Sequence, residues 1–149
     1  MSEFLEATID KFIFRVATDR LYGRDGMWLL EVGDGRVRLG LTDYFQQRSG
    51  DVAFVHVKPI GTTLAVGEEF AELETIKANA SLFTPVAGTL LEVNKALELS
   101  PETINEAPYA KGWLAVLQAS DWEGDMVKLL DPKSYLSLIR AEAEQEIAG

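Results

Sequence analysis

Few residues in this chain are equipped for chemistry, and Lys77 is the one whose neighbours give it a task. It stands in Glu74-Thr75-Ile76-Lys77-Ala78, between Val66-Gly67-Glu68-Glu69-Phe70-Ala71-Glu72-Leu73 and Leu82-Phe83-Thr84-Pro85-Val86-Ala87-Gly88. The upstream flank reads as a glycine turn and a strand with alternating apolar residues. The downstream flank reads as a short strand, a Pro-x-x-Gly turn and a new strand, Thr89-Leu90-Leu91-Glu92-Val93. The lysine therefore belongs at the tip of a tight connection between two strands, facing solvent. An amine that is reachable, and fixed in place by a rigid sheet, suits covalent modification.

Other chemistries find no support. The single histidine, His56, lies between Val55 and Val57 on a strand. It reads as a solvated or hydrogen-bonded strand residue, with no partner for acid–base work. No Gly-x-Ser-x-Gly stretch or serine–histidine pairing is suggested. One histidine and no cysteine leave no transition-metal cluster. Glu68, Glu69, Glu72 and Glu74 lack the spaced Asp/Asn/Gly loop of a calcium site and read as a solvated or recognised face. Gly33-Asp34-Gly35 is a hairpin turn, since no helix follows it. The chain reads as a group carrier, not an enzyme, whose chemistry comes from an added group.

Glu74-Thr75-Ile76-Lys77-Ala78 followed by Pro85-Val86-Ala87-Gly88 resembles the lipoyl-attachment signature. More specifically, the chain resembles the H protein family of the glycine cleavage system, from about Trp28 to about Leu136. The resemblance is carried by Leu39-Gly40-Leu41-Thr42-Asp43-Tyr44, Gly50-Asp51-Val52-Ala53-Phe54-Val55, Val93-Asn94-Lys95-Ala96-Leu97, Ile104-Asn105-Glu106-Ala107-Pro108-Tyr109 and Gly112-Trp113-Leu114. The Asn-x-x-Pro-Tyr…Gly-Trp group separates H-type carriers from ordinary lipoyl and biotinyl domains. Ile76 and Ala78 replace the methionines expected around a biotinylated lysine. The resemblance implies lipoic acid in covalent amide linkage to Lys77, with Glu74 read by the lipoate-attaching enzyme. A long arm ending in a cyclic disulfide would then shuttle a covalently bound group between partner enzymes by thiol–disulfide chemistry.

The surrounding elements must hold that lysine. The length suits one domain, residues 1–149. Residues 1–10 read as a leader or frayed helix turn, and residues 120–149 as a C-terminal helical segment. Strands are expected over 11–16, 27–32, 36–41, 51–58, 68–75, 81–84, 89–94 and 112–119. Thr42 caps a short helix that Gly50 ends, Pro101 opens another, and Asp121-Trp122 and Asp131-Pro132 start two more. Many short strands with glycine turns indicate two small packed sheets, and the resemblance implies the fold class: mainly β with C-terminal helices, a flattened barrel or sandwich of the lipoyl-domain type. The expected core is Phe14, Trp28, Leu30, Val37, Leu39, Leu41, Val52, Phe54, Val57, Phe70, Leu73, Val86, Leu90, Val93, Trp113, Ala115 and Leu117.

Composition narrows the partners. Asp and Glu number 24 against 14 Lys and Arg, a net charge of −10, which argues against nucleic acid and favours partners with basic docking surfaces. No apolar run is long enough for membrane insertion and no secretory signal is visible. With no cysteine, a cytoplasmic setting is expected. One departure bears on the pathway. Where glycine-cleaving H proteins carry His-Glu-Trp, this chain has Gly26-Met27-Trp28, losing a carboxylate suited to a carried ammonium, while Arg48 would suit an anionic adduct. The leading expectation is therefore lipoate-dependent sulfur oxidation with a heterodisulfide-reductase-like complex. Glycine cleavage with its partner enzymes is the alternative, and a non-carrier binding module the second.

Overall fold

The structure, a computed structural model, describes residues 3–148; Met1, Ser2 and Gly149 of the expected leader and tail lie outside the described residues. The chain alternates short strands with glycine-bearing turns, and three sheets result. A six-stranded antiparallel sheet runs in the order β3-β4-β5-β11-β10-β7, with β3 Leu21–Tyr22, β4 Met27–Gly33, β5 Arg36–Leu41, β7 Thr63–Leu64, β10 Gly88–Val93 and β11 Ala115–Ala119. A three-stranded sheet, β6-β8-β9, is built from Val52–Val57, Glu69–Thr75 and Asn79–Phe83. The two form a flattened sandwich, and no sheet closes into a barrel among the described residues. Met27, Leu29, Val37, Leu39, Leu41, Phe70, Leu73, Leu90 and Leu117 fill the layer between them.

The third sheet corrects the expected leader. Residues 4–9 form β1 (Phe4–Ile9), not a helix turn, and pair in full register with β2 (Phe12–Ala17). Asp10, at φ 57°, turns this hairpin. Alternation explains the choice: Ala7, Ile9, Phe14 and Val16 point inward while Glu6, Thr8 and Arg15 stay outside. The inward side chains meet Tyr22, Trp28, Tyr44 and the helix α4 (Pro132–Ala148) in a second core. The Met27-Trp28-Leu29-Leu30 run follows from this. One face of β4 packs into the sandwich and the other, through Trp28, under the hairpin, so both faces demand apolar residues. Trp28 donates its indole N–H to the Pro108 carbonyl at 2.8 Å and lies under the Arg20 guanidinium at 4.6 Å. Gly40 makes room for it: a Cβ there would fall 2.3 Å from the indole.

Four expected core residues besides Phe54 are only half-buried. Val57 and Val93 end their strands, Leu30 is partly buried against the second core, and Trp113 lies against the Arg38 guanidinium at 5.0 Å while its neighbour Leu114 takes the buried position. Phe54 is 55% exposed because the β6–β8 pairing skips a residue between Val52 and Phe54. That bulge reverses the inward–outward parity of everything after it. Pro101 precedes α2 (Thr103–Glu106) by one further residue, opening a tight turn instead of sitting in the helix. Both later helix starts hold. Asp121 caps α3 (Trp122–Met126) through the Gly124 N–H, and Asp131 accepts from the Ser134 N–H at 2.8 Å at the start of α4.

Candidate functional site

Lys77 occupies the turn between β8 and β9, exposed, with neighbouring Ile76 78% exposed. Two-residue hairpin turns commonly use positive φ values supplied by glycine, yet neither Ile76 nor Lys77 takes one. The turn is held by other bonds. The Thr75 N–H and hydroxyl both donate to the Ala78 carbonyl at 2.9 Å, the Ala78 N–H returns a bond to the Thr75 hydroxyl at 3.1 Å, and the Ile76 N–H reaches the Asp51 carbonyl at 3.2 Å. This is why the motif reads Thr-Ile-Lys-Ala: the threonine side chain closes the loop that presents the lysine.

The Asp51 end is braced in turn. Helix α1 (Asp43–Ser49) starts at Thr42, whose hydroxyl accepts from the Phe45 N–H, and stops at Gly50, which at φ 84° donates to the Gln46 carbonyl. A side chain at Gly50 would be strained at that φ, and its Cβ would stand 3.4 Å from the Lys77 Cε, in contact with the lysine stem. Asn105 then ties both sides of Asp51: its Nδ2 donates to the Gly50 carbonyl at 2.9 Å and to Gln46 Oε1 at 3.0 Å, and its Oδ1 accepts from the Val52 N–H at 2.9 Å. The Asn-x-x-Pro-Tyr stretch is therefore structural. Asn105 seats the lysine turn, Pro108 accepts from Trp28, and the Tyr109 hydroxyl donates to the Arg15 carbonyl at 2.9 Å. Burial pushes the Tyr109 phenol well above its ordinary value, so it stays a donor.

Beside Lys77 lies a groove of about 380 Å³ walled by Ile9, Phe12, Phe14, Tyr44 and Ile147. Arg48, at its rim, is paired: it bonds the Glu146 carboxylate, donates to the Tyr44 hydroxyl at 2.9 Å and lies over the Tyr44 ring at 5.2 Å. These bonds hold the guanidinium above its ordinary value and the Glu146 carboxyl below its own. Met27 is buried at 2% exposure inside the sandwich, opposite Leu41. Neither residue thus presents a free charge or a missing one to the arm, and the electrostatic grounds for an anionic adduct fall away. Glu74 is half-buried on β8 with Oε1 3.6 Å from His56 Nε2, and His56 is exposed beside Phe54. No cluster of three or more metal-ligating side chains occurs among the described residues. Nor is any helix long and apolar enough to cross a membrane.

The arrangement fits a covalently held arm: among the described residues no hydrogen bond or ion pair engages the Lys77 amine, and Gly50 leaves its stem room. The sequence is that of known carriers as well. The glycine cleavage H-protein family matches residues 20–142. The chain belongs to the glycine cleavage H-protein family. Similar curated relatives include the glycine cleavage system H proteins of Chromohalobacter salexigens, 41% identical over 78% of this chain and 88% of that protein, and of Thermus thermophilus, 39% identical over 86% and 98%. A solved glycine cleavage system H protein from Mycobacterium marinum shares the fold at a TM-score of 0.73 and 33% identity, over 80% of this chain and 95% of that one. Members of the family carry lipoate covalently on a lysine and are components of a multienzyme system, not catalysts themselves. Hairpin β1–β2 lies outside the matched residues.

Proposed function

We propose that residues 1–149 form one lipoyl carrier, with lipoate on Lys77, that serves glycine cleavage and carries the aminomethyl group between that system's enzymes. The observation that carries the reading is Lys77 itself: an unpaired amine at an exposed turn whose every brace belongs to the family-matched region. The bound lipoyl group would supply a cyclic disulfide that opens to hold a carried group on one sulfur and leave the other as a thiol. The protein contributes position. Acylation removes the amine's charge, Thr75 and Asn105 fix where the arm starts, and tethering raises the local concentration of the carried group at each docked enzyme.

The named relatives support glycine cleavage over sulfur oxidation. The two residues that favoured sulfur, Met27 and Arg48, are a core side chain and a neutralised one. Glu74 and Glu72 on β8 are proposed as the face read by the lipoate-attaching enzyme. A cytoplasmic setting belongs to the same proposal, since a chain without cysteine has no need of an oxidising compartment. The test is intact mass and peptide mapping of protein from a lipoylating host. The lipoyl adduct is expected on the Lys77 peptide and absent in Lys77→Arg. An adduct on Lys58, Lys95 or Lys111 instead would overturn the assignment.

A further inference from the structure

Side chains alternate along β2, so the hairpin lines two separate cavities. Phe12 and Phe14 face the groove at Lys77, while Ile13 and Arg15 face a second cavity of about 360 Å³. The hairpin gives this second cavity Phe4, Ile13 and Arg15, all ahead of the family-matched residues, and the Asn-x-x-Pro-Tyr stretch gives it Ala107, Pro108 and Tyr109. Phe4 and Ile13 belong to neither core and stay 43% and 51% exposed, with the Phe4 ring tilted against Tyr109 at 5.8 Å.

The charges in the lining are unbalanced. Its one cation, Arg15, is bonded to Glu6 at 3.0 Å. Asp43 accepts three hydrogen bonds, from the Arg15 backbone N–H, Gln46 and Gln47, and every donor is neutral. An ionised carboxylate offers about four acceptor positions, so one remains. Glu106 is exposed and makes no hydrogen bond or ion pair among the described residues. Two carboxylates without a cationic partner, beside apolar walls, match a side chain with an aliphatic stem and a cationic head. The Phe4 ring selects arginine over lysine: a planar guanidinium stacks on an aromatic face, and its fork of N–H groups can serve two carboxylates at once. The cavity also adjoins the arm. Gln47 lines both it and the groove at Lys77, and Asn105, also in its lining, braces the lysine turn.

We propose that this cavity docks an arginine of the enzyme that loads the lipoyl arm, a contact supplied in part by the β1–β2 hairpin. The identity of that partner rests on the carrier reading, but the cavity is testable without lipoate. The probe is acetyl-Ala-Arg-Ala-amide, titrated into the full chain and followed by NMR, with the citrulline peptide as an uncharged control of similar shape. The arginine peptide should saturably shift the Ile13 methyl and the Asn105 side-chain amide, and the citrulline peptide should shift neither. Glu106→Gln removes a charge at an exposed, unpaired position, so it should keep the melting temperature and weaken peptide binding about fivefold. The second measurement uses lipoylated protein and purified glycine decarboxylase. There Glu106→Gln and Phe4→Ser should each raise the KM for the carrier about fivefold, as lost docking does. Wild type that is never loaded fails the glycine-cleavage reading and leaves the cavity to be decided by the titration. Shifts with both peptides, with neither, or on other surfaces would overturn the arginine site. So would loading of both variants at an unchanged KM.

Discussion

At the scale of single residues, Lys77 and Trp28 define opposite kinds of position. Lys77 is exposed and unpaired, so Lys77→Ala should change stability by no more than about 0.5 kcal/mol while removing the lipoyl adduct. Trp28 is 1% exposed, hydrogen-bonded to Pro108 and stacked by Arg20; Trp28→Ala should cost about 3–5 kcal/mol. The half-buried Trp113→Ala should cost clearly less. Urea unfolding of the three variants checks the order, and a Trp113 cost equal to that of Trp28 would mean that the two cores are misjudged. Sequence alone placed Lys77 correctly because its cues are local: a glycine turn, alternation and Pro-x-x-Gly. It placed Trp113 and Phe54 wrongly because theirs are not. Phe54 is turned outward by a bulge at Ala53 that no pattern of types announces, and Trp113 loses the inner position to an adjacent leucine.

At the scale of elements, the turn that presents the lysine depends on one amide reaching across from α2. Asn105→Ala strips partners from the Val52 N–H and Gly50 carbonyl. We expect a loss of about 1–3 kcal/mol, as for other orphaned buried polar groups, and faster amide exchange at Ile76 and Ala78. Unchanged exchange there would show that the turn holds itself. Helix α4 is held by acids at both ends, Asp131 at its start and Glu146 against Arg48 near its tail, and hydrogen bonds hold both carboxyls below their ordinary range. Such groups stabilise fully above their unfolded values, about 3.9 for Asp and 4.3 for Glu. That contribution fades as pH falls through the lower folded values. Amide exchange at the two ends of α4 should therefore be flat from neutral down to mild acid and quicken only below the ordinary carboxylate range. Quickening near neutrality would contradict these pairings. The helix and its start were legible in Asp131-Pro132 and the apolar spacing after it. The β1–β2 hairpin was not, since a six-residue strand with Glu6 and Thr8 outside resembles a polar leader until its partner and the Tyr22–Tyr135 stack are in place.

At the scale of the whole molecule, an acidic sandwich carries one braced lysine beside a groove of mixed aromatic and charged lining. A net charge of −10 should steer it toward basic surfaces, and exposed charges are screened over about 10 Å at 0.1 M salt and about 3 Å at 1 M. Association with its partner enzymes should accordingly slow across that range, with a smaller effect on dissociation; rates independent of salt would mean that apolar contacts govern docking. The sandwich class and most strands were readable from turn spacing, but β1 and the two-residue strands β3 and β7 were not. The flattened shape was implied by the family resemblance, whereas the lack of closure depends on which strand edges find each other. The pathway expectation finds no support for a related reason: substitutions at Met27 and Arg48 look like changes in site chemistry until Met27 is found buried and Arg48 ion-paired. The most direct test of the carrier account is to incubate the lipoylated protein with glycine and purified glycine decarboxylase, then map the products by mass. The account predicts an aminomethyl increment on the lipoylated Lys77 peptide, lost in Lys77→Arg. A lipoylated Lys77 that acquires no such increment, while a relative's H protein is loaded in the same mixture, would contradict it.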